Sequence, residues 1–148
     1  MSDTITDHSS VEEMENLLGK WKLKENIQFT DFLSFTQLPW YQIKIANYSH
    51  IDLQLNKVSE MKYSKKVESL FYNVHHTITI NNTYKEYKDG KKIKYSIKDN
   101  KIITDIIGTI VNWQEITSFN DPYLQIEYVW EEEGETKTAR QIFEPKEN

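Results

Sequence analysis

The stretch FTDFLSFTQLPWYQIKIAN, Phe29 to Asn47, is the one short run of helical character in a chain that otherwise reads as strand. Phe32, Leu33 and Phe35 follow Phe29 at helical spacing, and Thr30 is placed to serve as an N-cap. Pro39 stops this first helix and suits the first turn of a second. The second helix holds Trp40, Ile43 and Ala46 roughly on one side and closes near Asn47. Two small helices set between the first and second strands of a closed sheet form a lid. A lid implies a covered space.

The pattern on either side of this stretch has a period of two. Upstream, Lys20, Lys22 and Lys24 alternate with Trp21 and Leu23, as in a strand with one wet face that ends near Gln28. A short amphipathic segment, Val11 to Leu18, leads into it. Downstream, Ile51 to Leu55, Thr77 to Ile80, Ile93 to Ile97 and Leu124 to Tyr128 alternate in the same way. Turn signals separate these runs at Asn81-Asn82, Asp89-Gly90, Asp99-Asn100, Asn120-Asp121-Pro122 and Glu133-Gly134. Turns about ten residues apart mark a meander or barrel. No internal repeat, linker or low-complexity segment interrupts them. A polar extension over 1–17 and a single domain over 18–148 are therefore expected.

A chain of 148 residues fits one domain, and buries roughly two thirds of its extended surface. Only 38% of it is hydrophobic, which makes a thin solid core, whereas a barrel with a wet cavity tolerates polar residues inside. The net charge of -5 and the lack of a basic stripe speak against a nucleic-acid partner. The chain has no cysteine, so a disulfide framework is ruled out and a reducing cytosol is compatible. Met1 to Glu13 is polar and acidic, without the apolar region of a signal peptide or membrane span, so a cytoplasmic location is expected. The sequons at Asn47 and Asn81 are then chance matches.

Catalytic and metal-binding patterns are not found. His75 and His76 are adjacent on a strand and point to opposite faces, while His8 lies in the tail and His50 in a turn. Glu131-Glu132-Glu133 before Gly134 lacks the oxygen spacing of a calcium loop. There is no phosphate loop or nucleophile elbow. No cofactor, no metal and no enzymatic activity are expected.

Four stretches resemble the intracellular lipid-binding protein family, the cytosolic fatty-acid and retinoid carriers of the calycin superfamily. Gly19-Lys20-Trp21-Lys22-Leu23 resembles its opening Gly-x-Trp-Lys-Leu, and the Phe29 to Leu33 and Pro39 to Asn47 segments fall where its two lid helices lie. Glu68-Ser69-Leu70-Phe71-Tyr72-Asn73 resembles its Glu-Ser-Thr-Phe-Lys-Asn strand and turn, and Ala139 to Glu144 its last strand. The resemblance runs from about Leu18 to Lys146 and implies an all-β fold. The implied architecture is a ten-stranded antiparallel up-and-down barrel with a helix-turn-helix lid between the first and second strands. It also implies a monomeric carrier for a hydrophobic small molecule.

The resemblance further assigns the site. Most fatty-acid carriers of the family place Arg-x-Tyr on the last strand, because a carboxylate taken from water needs a charge-assisted partner. Here Gln141 and Phe143 stand there, the pattern of the retinol carriers, whose ligand ends in a neutral hydroxyl. A glutamine amide donates and accepts but cannot neutralise an acid. The family's second internal basic position falls on Thr117, with Glu115 and Trp113 on the same face, and Trp113 to Tyr128 contains no arginine. An inward Glu115 would repel an anion. Trp113 reads more as barrel packing than as a ligand platform. Phe29, Phe32 and Leu33 would line the underside of the first helix, with Tyr41, Ala46 and Ile51 also inward and Phe71 at the portal.

Several readings stay open. A one-residue slip or bulge would exchange Gln141 with Arg140 and restore an acid site, giving a fatty-acid carrier anchored by Arg140 or by water. A lipocalin-like barrel with a haem-binding or small-enzyme role is the reading from another class. Transient membrane contact through the lid has one lysine in the second helix, Lys44, to support it. Three segments depart from the family: the N-terminal extension, the hairpin over Glu131 to Lys137, and Lys57 to Lys66, which reads as an expanded connection.

Overall fold

The computed structural model describes residues 14–48, 50–69 and 73–147, with the backbone alone for Asn47 and Tyr48. The strands are β1 (Gly19–Ile27), β2 (Ile51–Ser59), β3 (Lys62–Ser69), β4 (Asn73–Thr79), β5 (Lys85–Glu86), β6 (Lys92–Lys98), β7 (Lys101–Ile107), β8 (Asn112–Asn120), β9 (Tyr123–Glu132) and β10 (Glu135–Pro145). Helices α1 (Phe29–Phe35) and α2 (Trp40–Tyr48) lie between β1 and β2. The strands form one ten-stranded sheet in the order β4-β3-β2-β1-β10-β9-β8-β7-β6-β5. Its ladders are all antiparallel, and β1 pairs with β10. The expected up-and-down architecture with its lid is present, and the ladder's two ends, β4 and β5, are not paired with each other.

The sheet curls on itself. Ile78 of β4 and Ile93 of β6, far apart in strand order, line the same internal cavity. Period-two patterning produces this interior: Leu124, Ile126, Tyr128 and Trp130 of β9 are buried, and the residues between them are half-exposed. Two hairpins turn on the left-handed backbone that two-residue loops require, at Asp99-Asn100 (φ 52° and 64°) and Glu133-Gly134 (φ 54° and 79°).

The structure revises three local expectations. Lys57 to Lys66 is not an expanded connection: β2 and β3 stay paired from Ile51↔Ser69 to Ser59↔Lys62. The tip from Asn56 to Lys62 is exposed on both faces, so its sequence carries no alternation although the backbone ladder continues. Thr30 is not the N-cap of α1. Gln28 is, in a left-handed conformation (φ 58°), and its carbonyl accepts from the Asp31 N–H at 3.1 Å. Met14 and Leu17, in the segment read as a polar extension, are among the most buried side chains, and the Leu17 carbonyl accepts from Trp21 Nε1 at 3.0 Å.

Candidate functional site: a two-part cavity inside the barrel

The interior contains two adjoining lobes of about 230 and 220 Å³. They share Leu53, Lys65, His76, Glu115 and Ile126 in their walls. Together they reach the size range of small-molecule sites, roughly 300–1,000 Å³. One lobe lies under α1, bounded by Phe29, Ile51, Val67, Tyr128, Gln141 and Phe143. The other extends between β4 and β6–β8, past Ile78, Ile93, Tyr95, Ile102, Thr104, Trp113 and Thr117.

Gln141 points inward and is 4% exposed, while Arg140 is exposed. The slip that would exchange them does not occur, since β9 and β10 pair without a break from Glu132↔Glu135 to Leu124↔Phe143. The bulge in this part of the sheet is on β1, between Leu23 and Glu25. It follows that Arg140, the sequence's single arginine, cannot anchor a ligand in the cavity. The Gln141 carbonyl Oε1 accepts from the Tyr128 hydroxyl at 2.6 Å, and its Nε2 donates to Asn26 Oδ1 at 3.2 Å. Every member of this group is neutral. Burial is tolerated because the Tyr128 hydroxyl and the Gln141 amide nitrogen each meet an acceptor.

Further along the wall are the charges. Lys65 on β3 and Glu115 on β8 face each other across the barrel, Nζ to Oε1 4.0 Å, both side chains 19% exposed. Trp113 Nε1 donates to the other carboxylate oxygen of Glu115 at 2.9 Å. His76 lies opposite Lys65 in the β3–β4 ladder. Burial, with the nearby lysines, lowers its pKa, so the imidazole is neutral at pH 7. The Tyr95 hydroxyl is pushed up, first by burial, and stays protonated.

The remaining expected residues divide clearly. Phe29 and Phe32 are buried beneath α1, Phe143 is 2% exposed beside Gln141, and Thr117 is buried in the second lobe's wall. Leu33 packs on the core from the half-buried side of α1. Trp113 lies edge-on to Phe32, ring centroids 5.6 Å apart. Ala46 is half-buried and lines neither lobe, and Tyr41, expected inward, is 51% exposed, because α2 does not turn that face to the barrel. Phe71 lies outside the described residues.

Sequence reasoning missed Lys65, His76 and Tyr128 as cavity residues and Asn26 as the acceptor for Gln141. A signal existed for two of them. Counting back by twos from Ile78 reaches His76, and forward by twos from Leu124 and Ile126 reaches Tyr128. Among the described residues no group of three His, Cys, Asp or Glu is placed to hold a metal, and no helix is long and apolar enough to cross a membrane.

No protein-family model and no curated protein matches the chain. Solved structures do. A Schistosoma mansoni fatty acid binding protein in complex with arachidonic acid is 18% identical, with a TM-score of 0.78, covering 91% of this chain and 99% of its own. Caenorhabditis elegans lipid binding protein 8 is 16% identical, with a TM-score of 0.79, covering 90% and 97%. The fluorescent protein UnaG is 13% identical, with a TM-score of 0.79, covering 90% and 99%. These likenesses, with TM-scores of 0.78 and 0.79 and near-complete coverage, show that the chain is built on the fold of the fatty-acid-binding and lipid-binding proteins.

Proposed function

We propose that this chain is an intracellular, cytoplasmic carrier. It binds one hydrophobic small molecule, a lipid or retinoid-like compound with a neutral polar end, non-covalently inside the barrel. The observation that carries this reading is the neutral Gln141–Tyr128–Asn26 group at the lobe under α1, with the single arginine outside. Apolar burial supplies the affinity, at roughly 25 cal/mol per Å², and Gln141 orients the polar end, with Phe143 packing beside it. An alcohol, aldehyde or amide can exchange hydrogen bonds with the amide. A fatty-acid anion gains no charge match at Gln141, and the two lysines that line the lobes, Lys65 and Lys91, already face the carboxylates of Glu115 and Asp89. The names of the solved neighbours, fatty-acid- and lipid-binding proteins among them, support a carrier rather than an enzyme. The same fold also carries a fluorescent protein, so the fold alone does not fix the function.

Native mass spectrometry of the protein purified from cells tests the reading. A neutral lipid should be recovered, and Gln141→Arg should gain affinity for fatty-acid anions. Recovery of a tightly held fatty acid from the unaltered protein would refute the neutral end.

A further inference from the structure

Lys65 and Glu115 are placed for more than mutual neutralisation. A direct charge-assisted N–H···O bond is about 2.7–2.9 Å long, whereas these ends stand 4.0 Å apart. One oxygen about 2.8 Å from each end closes a triangle on that base, the span of a bridge rather than of a bond. The ammonium offers only donors and the carboxylate only acceptors, so the bridging atom must accept from one and donate to the other. A hydroxyl does both. A carboxylate cannot donate to Glu115, and an ammonium cannot accept from Lys65. The second Glu115 oxygen is held by Trp113 at 2.9 Å, which fixes the carboxylate; His76 beside Lys65 is neutral, and Lys91, the other lysine of this wall, is paired with Asp89 at 3.6 Å. Both lobes open onto this pair, so an apolar chain that occupies them passes it partway along its length.

From this geometry we infer that the barrel holds a second polar station, in which Lys65 and Glu115 together bind a hydroxyl carried partway along the ligand's apolar chain. The inference rests on the carrier reading above and narrows it: the ligand has two separated neutral polar groups, one at Gln141 and one between Lys65 and Glu115. A plain chain leaves the second station without a partner. The hydroxylated chain gains one hydrogen bond to each of two charged groups, and one such bond corresponds to about a tenfold preference or more.

The test is displacement of Nile red by stearyl alcohol and by a series of diols of the same chain length that differ in the position of the second hydroxyl. At least one diol should bind the unaltered protein about tenfold more tightly than stearyl alcohol. That preference should vanish in Glu115→Gln and in Lys65→Met and return in the double variant that exchanges the two charges, Lys65→Glu with Glu115→Lys. A flat series, with stearyl alcohol itself displacing the dye, overturns the second station and leaves the carrier standing. A preference that survives in both single variants also overturns it. If neither the alcohol nor any diol displaces the dye, the carrier reading falls and takes the station with it. Should a variant fail to fold, the series on the unaltered protein still decides between a flat and a preferential response.

Discussion

The two lid helices follow one another in sequence and differ in how they are held. In α1 the aromatic residues recur at Phe29, Phe32 and Phe35, one stripe on one face, and that stripe is driven into the barrel mouth. Phe32 is 5% exposed and packs on Tyr128 at 4.5 Å and on Trp113 and Trp130 at 5.6 Å each; Phe29 meets Tyr128 at 5.2 Å and Phe35 stacks on Trp130 at 5.5 Å. In α2 the apolar residues are spread around the helix. Trp40 is 75% exposed and Ile45 42%, and the helix packs chiefly on α1. A helix without an apolar stripe has no face to bury. The lid is therefore a plug and a flap, and the plug touches the site: Tyr128, on which Phe29 and Phe32 rest, is the donor to Gln141. Of the two lid helices, the flap is the one whose opening disrupts least packing.

The harshest attack on this distinction is Phe32→Ala. Truncating a buried phenylalanine removes its transfer free energy and leaves a cavity, a loss of about 3–5 kcal/mol. Three aromatic partners fixed on strands β8 and β9 cannot collapse into the space. Urea unfolding should show the midpoint falling by that amount with an unchanged slope. A loss below about 1 kcal/mol, the ordinary cost of a substitution, would show that α1 rests on the barrel as loosely as α2.

Tyr128→Phe asks whether the plug and the site are coupled. The ring stays, so the packing under Phe29 and Phe32 is kept, but the carbonyl of Gln141 loses its 2.6 Å donor while 4% exposed. An unsatisfied buried acceptor costs about 1–3 kcal/mol. The same denaturation experiment reads it, and the double variant with Gln141→Leu should recover much of the loss, because the Tyr128 hydroxyl and the Gln141 amide are then both gone and Asn26, which loses the Gln141 donor, is half-buried and within reach of water. Additive losses would mean that the hydroxyl serves some other partner.

The difference between plug and flap also marks how far the sequence could be read. The Phe29, Phe32 and Phe35 stripe is visible at helical spacing and β9 announces itself by alternation, so the lid position was legible, whereas Gln141 and Phe143 were placed by the resemblance to the lipid-binding family and the exchange with Arg140 stayed open until the β9–β10 register closed it. The α2 residues were not. Trp40 and Tyr41 are large and aromatic, and nothing local says that α2 leaves them outside. The charged station was hidden for a different reason. On β3, inward Tyr63, Lys65 and Val67 alternate with Ser64 and Lys66, so a half-buried lysine sits in a strand whose two faces are almost equally polar. Its partner is on β8, fifty positions on. Only the curl of the sheet brings the two together, and no periodicity reports a contact across a barrel.

The mildest perturbation addresses the flap directly. Trp40→Ala removes the largest side chain of α2, yet with three quarters of it already in water the exchange buries and uncovers little. Stability should stay within about 0.5 kcal/mol of the unaltered protein, the usual range for surface substitutions. The informative readout is hydrogen exchange, where α2 amides should exchange ahead of those of α1 in both proteins, because a helix opens locally at a free energy set by the packing it must give up. Pro39 sharpens the contrast. Its carbonyl accepts from the N–H groups of Gln42 and Ile43 at 2.9 and 3.1 Å, so α2 has a sound start and owes its exposure to the missing stripe rather than to a poor first turn. Equal protection of the two helices would mean that the lid moves as one body, and opening would then have to lift Phe32 out of its aromatic seat.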